Sequence, residues 1–435
     1  MLVVPALLAL IVIMVIGVPV PLAFLVSSVI ICVGSGTDPQ MLLVNGYNKI
    51  NTILLLTIPL FVLAGSLINN GGLGEKLVGA VEKSKLGKSK TGLGTVTVVA
   101  CAVFGAVSGS SSATVSCIGA IMAPRLRQAG YPDGLIGALI ASSGVLGILI
   151  PPSIMLVSMG SYAEVSVGKI FFAAITPGLM LSLCYIIYLM VVCRIHPDWG
   201  PAMSAEELAE MPLKKRISGS LINLIPPLIL IFAVLGSIFG GIATPTEAAG
   251  MGAIFALILA IFYKQFSLEM LKESLIDTAK TTAMVFIILF GAAAFTGVFM
   301  SLDGDQIIAD WVLSMGIGKW GAFAIMMVIM FLLGMFIDWL GIVMIVFPIF
   351  LPIMDQFGFD RLWLVAVIAT LLQTCFMTPP FGFALFYVKG ILPGDIKIQE
   401  VYKGVIPFII IICIVTVLCA VFPPLVTWLP SLLAS

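Results

Sequence analysis

Two clusters of hydroxyl and carbonyl groups interrupt sequence that is otherwise apolar. Ser108-Gly109-Ser110-Ser111-Ser112 separates apolar stretches at 95–107 and 113–124, and Ile150-Pro151-Pro152-Ser153 breaks the apolar segment 134–162. Proline removes a backbone donor and blocks the turn before it, so the carbonyls one turn upstream lose their partners. In a bilayer such carbonyls persist only where they are buried in protein or line a polar cavity. Carbonyl and hydroxyl oxygens together suit a hard monovalent cation such as Na+, and half-helix N-termini opposite them suit an anion. A second pair of interruptions follows at Asp338-Trp339-Leu340-Gly341 and Thr378-Pro379-Pro380, with Gln373 and Thr374 one turn before the prolines. The expected cation ligands are Ser108, Ser112, Ile150 and Ser153 at the first pair, and Asp338, Gln373, Thr374 and Thr378 at the second. The expected anion contacts are Ser108, Gly109, Ser110, Ser111 and Gly341. A carboxylate in a segment as apolar as 331–352 is costly, which makes Asp338 a functional candidate. Its other reading is a helix cap at a turn, and capping is also the reading for Glu247 in Thr244-Pro245-Thr246-Glu247. Small residues such as those at 108–113 also let helices pack closely.

These interruptions belong to a duplication. Pro124, Gly130 and Pro151-Pro152 recur at one constant spacing as Pro352, Gly358 and Pro379-Pro380. Phe104-Gly105 has a counterpart near Leu333-Gly334, and Thr176-Pro177 matches Ile406-Pro407 with two residues inserted. Matching proline breaks in two halves of a membrane chain point to a transporter's binding site. The two sites are not chemically equivalent, because Val145 and Leu146 stand where Gln373 and Thr374 stand in the second copy.

The elements that must position these residues are membrane helices. Charged residues are 10% and hydrophobic residues 61%, against about 25% charged in soluble domains. Apolar runs at 53–68, 171–192, 221–239, 248–262, 282–299 and 405–422 are long enough to span or nearly so. No barrel-like alternation occurs, which leaves helices as the spanning structure. The stretches 95–107 and 113–124 are each about 18–20 Å of helix, too short for a ~30 Å core. They read as a re-entrant hairpin, with a matching one at 320–337 and 342–353.

Basic residues mark the cytoplasmic side. With both hairpins re-entrant, only Lys49, Lys169, Lys319 and Arg361 of the 21 basic residues fall outside. The second hairpin then enters from the side opposite to the first, so the repeat is inverted. The predicted fold is an all-α polytopic membrane protein of the elevator type, with two re-entrant helical hairpins and two proline-broken helices. Its organisation is an N-terminal helix region (1–50), then a first copy (51–195) holding hairpin 95–124 and broken helix 134–162. A cytoplasmic loop and linking scaffold helices follow (196–281), then a second copy (282–426) holding hairpin 320–353 and broken helix 361–388. Amphipathic stretches at 73–86 and 268–279 are expected to lie at the interface, and Ser204-Ala205-Glu206-Glu207 to cap a short surface helix.

Other chemistries find little support. Gly87-Lys88-Ser89 resembles the end of a phosphate-binding loop, but Glu82 stands where that loop needs glycine. The eight cysteines lie in or beside apolar runs without a CxxC pair and read as packing residues. The single histidine, His196, sits in a loop beside Pro197 and reads as solvated. A net charge of zero gives no reason to expect nucleic acid. A membrane-embedded enzyme would need clustered catalytic side chains, and Asp338 alone is too little.

Gly17-Val18-Pro19, Ile58-Pro59-Leu60-Phe61, the segment Phe104-Gly105-Ala106-Val107-Ser108-Gly109-Ser110-Ser111 and Ile150-Pro151-Pro152-Ser153 resemble the large membrane subunit of tripartite ATP-independent periplasmic (TRAP) transporters. Ala243-Thr244-Pro245-Thr246-Glu247-Ala248 and Thr378-Pro379-Pro380 fit the same pattern. The resemblance covers essentially the whole chain. It implies a multi-pass protein of the bacterial inner membrane that imports organic anions by sodium symport and an elevator movement. It also implies two partners, a periplasmic substrate-binding protein and a small four-helix membrane subunit. Because the sequence starts at a large-subunit motif, that subunit is expected as a separate chain. The serine-rich tip resembles the sialic acid branch. A C4-dicarboxylate importer and a stand-alone sodium/carboxylate carrier are the alternatives.

Overall fold

The structure, a computed structural model, describes residues 18–82, 91–196, 198–199, 213–314, 316–379, 382–392 and 397–432, with a few isolated positions before them. Gly17, Pro380, the basic residues between 83 and 90 and the capping sequence at 204–207 lie outside the described residues. Every described element is a helix or a 3-10 turn.

One group of helices packs around a long central rod. It comprises α1 (Val20–Ser35), α2 (Gln40–Ile50), α3 (Thr57–Asn70, led by a 3-10 turn at Ile53–Leu56), α11 (Pro245–Phe262) and α12 (Leu268–Ser301). Helices α1, α2 and α3 lie along α12, while α11 lies along α3. Small residues permit the close approach: a Cβ at Gly46 would sit 2.6 Å from the Phe290 ring, and one at Gly291 would sit 2.8 Å from the Pro21 carbonyl. Two polar contacts stitch the group, Thr57 Oγ1 to Thr246 Oγ1 at 2.7 Å and Asn70 Nδ2 donating to Ser274 Oγ at 3.0 Å. Thr244 caps α11, with the Glu247 side chain accepting from the Thr244 backbone N–H in return.

The second group holds the interruptions. Helices α5 (Gly92–Ser108) and α6 (Ser111–Gln128) form a tight antiparallel pair, followed by α7 (Asp133–Val145), a break, α8 (Ile154–Tyr162) and α9 (Val167–Ile195). The same order recurs as α14 (Gly318–Leu333), α15 (Trp339–Gln356), α16 (Arg361–Leu371), a break, α17 (Phe383–Ile391) and α18 (Ile398–Val421). The copies interlock. Helix α8 packs on α15 and α17 on α6, while α7 packs on α18 and α16 on α9. The remaining elements are α4 (Leu73–Glu82) and its counterpart α13 (Gly304–Ser314), the linking helix α10 (Leu213–Phe239) and the terminal α19 (Pro424–Ser431).

Two local expectations fail. The stretch 268–279 is not a separate surface helix but the first turns of the 34-residue α12, because nothing between 279 and 282 breaks the chain. The element that matches α4 is α13. Three of the four arms are also longer than expected, at 17 or 18 residues, while α14 stops at Leu333, short of the expected 337. Pro124 and Pro352 lie inside α6 and α15 rather than ending them, and each helix runs on for one more turn although the proline gives up its own bond to the carbonyl four residues back.

Outer faces carry regular apolar stripes. On α9 the exposed residues include Leu179, Leu183, Ile187 and Met190, and on α18 Ile406, Ile410, Ile414, Val417 and Val421. Steps of three and four put each set on one helix face, and in water such faces would need a cover. Among the described residues six helical segments are long and apolar enough to cross a membrane: Ile53–Asn70, α9, α11, α12, α15 and α18.

The four basic residues expected outside gather at one end. Lys49 Nζ donates to the Ser161 carbonyl at 3.5 Å, Arg361 to Ala163 at 3.3 Å and Lys319 to Gly358 at 3.4 Å. Lys169 lies in the first turn of α9, just beyond Ala163.

Candidate functional site

At the first tip, α5 ends because Gly109 takes a left-handed conformation (φ +61°), and Ser110 starts α6 as its cap. A side chain at 109 would be strained, and its Cβ would lie 3.1 Å from the Pro152 carbonyl. The tip therefore rests directly on the break of its own copy. Lower down, a Cβ on Gly105 would collide with the backbone of Gly147, so two glycines set how closely α5 meets the 3-10 turn before that break. Ser108 is buried, with its Oγ 3.2 Å from Thr114 Oγ1 and 3.4 Å from the Ser110 carbonyl. Ser110 Oγ accepts from the Ala113 N–H and lies 3.0 Å from Ser112 Oγ. Ser111 is buried beside them.

At the facing break, Ser153 caps α8 by accepting from the Leu156 N–H at 3.3 Å and donates its own proton to the Ile148 carbonyl. The Pro151-Pro152 bond is cis. The Ile150 carbonyl accepts no backbone hydrogen bond among the described residues, and the Ile150 side chain packs on Gly178. The tip thus meets the break through Gly109 and Pro152, while the Ser108 and Ser153 hydroxyls each bond within their own segment.

At the second tip, α14 ends at Leu333 and a turn leads to Asp338, which caps α15 by accepting from the Leu340 N–H at 3.3 Å. This is the capping reading of Asp338, with the backbone of Gly341 as well as Leu340 turned to its carboxylate. Gly341 packs against Ile337 and against Val20 of α1. In the facing break Thr374 and Thr378 are buried and turn their hydroxyls onto backbone. Thr374 donates to Leu371 at 2.8 Å and Thr378 to the Thr374 carbonyl at 2.7 Å. That carbonyl also accepts from the N–H groups of Met377 and Thr378, both at 2.9 Å. Gln373 differs. It is 1% exposed, its Nε2 donates to the Ala369 carbonyl at 3.0 Å, and its Oε1 has no partner. A buried amide oxygen without a donor costs on the order of 1–3 kcal/mol, so an arrangement that keeps one points to a ligand.

The first tip opens into a cavity of ≈ 490 Å³. On the tip side it is lined by Ser108, Ser110, Ser112 and Ser116, and on the other by Ser66 and Asn69 of α3 with Asp277, Lys280 and Thr281 of α12. Tyr387 of α17 and Ile154 of α8 complete the wall, whereas Gly341 does not line it. Lys280 is the one cation on this lining. A second cavity of ≈ 420 Å³ lies at the end that gathers Lys49 and Arg361, between α2, α12, α15 and the end of α8. Sequence reasoning missed Thr114, which ties Ser108 to the Ser110 carbonyl, and the polar wall formed by Asn69, Asp277 and Lys280. Adjacent asparagines at 69–70, closing an apolar run, were the available signal.

Among the described residues no three His, Cys, Asp or Glu side chains cluster as a metal site. Paired helix tips meeting two broken helices, with a hydroxyl-lined cavity between them and a second helical group, define a polytopic transport permease and not an enzyme. The sequence model of the family described as "Tripartite ATP-independent periplasmic transporter, DctM component" matches residues 7–425, and the chain belongs to that family as a multi-pass large permease of the inner membrane. It is 32% identical over 380 residues to the C4-dicarboxylate TRAP transporter large permease protein DctM of Pseudomonas aeruginosa, covering 86% of each chain. It is 30% identical to the sialic acid TRAP transporter permease protein SiaT of Haemophilus influenzae, covering 98% of this chain and 68% of that one. Among solved structures, the YdaH transporter of Alcanivorax borkumensis superposes with a TM-score of 0.59 at 14% identity, over 88% of this chain and 87% of that one, a likeness of fold.

Proposed function

We propose that this permease imports a small organic anion by sodium symport, taking it from a periplasmic binding protein and working with a small membrane subunit. The substrate we favour is a sialic acid or a related hydroxylated carboxylate. The observation that carries this reading is the ≈ 490 Å³ cavity, in which the hydroxyls of Ser108, Ser110, Ser112 and Ser116 face the amide of Asn69 and the ammonium of Lys280. Hydroxyls, an amide and one cation suit a polyhydroxylated monocarboxylate, and Asp277 on the same wall leaves no surplus positive charge for a second carboxylate. A C4-dicarboxylate is the second reading, favoured by the name of the Pseudomonas relative. Sodium is placed at the two tip–break junctions. At the first, Ser108, Ser112, Ile150 and Ser153 supply oxygens, and at the second Asp338, Gln373, Thr374 and Thr378. Support for the second comes from the unpartnered Oε1 of Gln373.

The repeated group, α5–α9 with α14–α18, is the part that moves. The group around α12 is the scaffold, and the two halves carry the hairpins in inverted orientation. The test is uptake into proteoliposomes holding this chain, the small subunit and the binding protein, with labelled sialic acid and labelled C4-dicarboxylate under an inward sodium gradient. Sialic acid uptake should require the gradient and the binding protein. Equal uptake by the chain alone would favour the stand-alone carrier, and uptake of the dicarboxylate only would favour the second reading.

A further inference from the structure

The outer end of α8 is fastened to the scaffold at two points. Lys49 of α2 donates to the Ser161 carbonyl at 3.5 Å and holds its ammonium 4.5 Å from the centre of the Tyr162 ring. Tyr162, the last residue of α8, places its hydroxyl 2.9 Å from Thr296 Oγ1 on α12. The far side of the same ring meets Phe347 of α15 edge-on at 6.2 Å, so Tyr162 is seated in the repeated group and tied to the scaffold at once. The scaffold presents both partners from one seam. Asn45, one turn before Lys49, packs directly against Gly297, the neighbour of Thr296. Arg361 does not share the task, because its guanidinium is committed to Asp355 and the Ala163 carbonyl.

Among the described residues the inner end shows no matching set of contacts. Helix α17, the counterpart of α8, ends at Ile391 where α8 ends at Tyr162. Asp277 stands as far along α12 as Lys49 stands along α2, and Ile68 takes the place of Thr296. An isoleucine cannot donate, and a carboxylate cannot bond a helix's terminal carbonyls. At that end the scaffold and the repeated group are parted instead by the cavity lined with Ser112 and Lys280. Both ends carry a cavity, and among the described residues the outer one is bridged, by Lys49 and by the Tyr162–Thr296 pair.

We propose that Lys49, Tyr162 and Thr296 form a latch that closes the outer side and holds the permease with its first tip open inward. The latch rests on the elevator reading above, since it joins the part taken to move to the part taken to stay. It sets the resting orientation, and it must be released before substrate enters from outside. A cation over an aromatic face and a neutral hydrogen bond are together strong enough to shift a two-state balance by about tenfold or more.

The experiment places a reporter cysteine at Ser112 in the chain assembled with its small subunit, in right-side-out and inside-out vesicles. A membrane-impermeant maleimide is added, and labelling at position 112 is read by peptide mass, so the native cysteines can stay. With the latch intact, Ser112→Cys should label rapidly from the inner face and slowly from the outer. Lys49→Gln combined with Tyr162→Phe should raise outer labelling about tenfold and lower inner labelling. Thr296→Val should match Tyr162→Phe alone and add nothing to it, because both remove one bond and neither alters packing volume much. Outer labelling unchanged in the Lys49→Gln/Tyr162→Phe protein would overturn the latch. Equal labelling from both faces with the latch intact would instead overturn the inward-open elevator reading, and the latch with it.

Discussion

Gln373 and Thr378 sit within two turns of each other, yet their oxygens are in different states. Thr378 Oγ1 is a donor to the Thr374 carbonyl, which keeps two backbone donors without it. Gln373 Oε1 is buried and has no donor. Replacing Gln373 by Leu should therefore raise the half-saturating sodium concentration about tenfold, the size of one charge-assisted contact, with uptake at saturating sodium nearly unchanged. Thr378→Val, which keeps the Thr378 carbonyl as its oxygen for the ion, should move it by no more than about threefold and cost about 0.5–1.5 kcal/mol of stability. Initial uptake rates against sodium concentration check both. If Gln373→Leu leaves the sodium curve in place, this residue does not hold the ion. The sequence made Ser108 to Ser112 legible because four serines and a glycine in a row stand out against apolar flanks. It did not reveal Thr114, a lone threonine in an apolar helix that reads as packing until Ser108 is seen beside it. Asp277 was not singled out and Lys280 counted only among the basic residues of the inner side, since nothing in a linear sequence says that α12 faces the first tip.

The helices are held in register by contacts that tolerate no side chain. Gly105 crosses the Gly147 backbone, and the crossing sets the depth at which the first tip meets its break. Gly105→Ala should lower stability by about 1–3 kcal/mol through overpacking and reduce uptake by displacing Ser108. Gly236, in α10, has open space where a Cβ would go. Gly236→Ala should be neutral or stabilising by roughly 0.5–1 kcal/mol, from helix propensity. Thermal unfolding in detergent distinguishes the two, and equal behaviour would mean that the crossing is not tight. The pairs and breaks were legible at this scale because glycine, serine and proline punctuate apolar sequence. Helix ends were not. Proline was given too much weight at 124 and 352, where the helix runs on for one more turn past it. The stretch 268–279 carries charges on one face, which suits an interfacial helix and the cytoplasmic end of a long one equally well.

For the whole molecule the duplication was the most legible feature, since matched prolines survive where other residues have diverged. Which helices form the fixed group was not legible, because it depends on α1 and α11 each packing on the other copy, and no periodicity within one helix reports that. The account's central claim is that the repeated group moves against this scaffold while it carries substrate. Gly341 at the second tip offers a direct test, because a Cβ there would lie 3.4 Å from Val20 Cγ1 on α1. Cysteines at both positions fall within reach of a disulfide if the side chains adjust. The measurement is sodium-driven uptake by the assembled Val20→Cys/Gly341→Cys permease, before and after oxidation and again after reduction. The account predicts that the bond abolishes uptake and that reduction restores it to the rate before oxidation. Uptake by the fully bonded protein at the rate of its reduced form would contradict it.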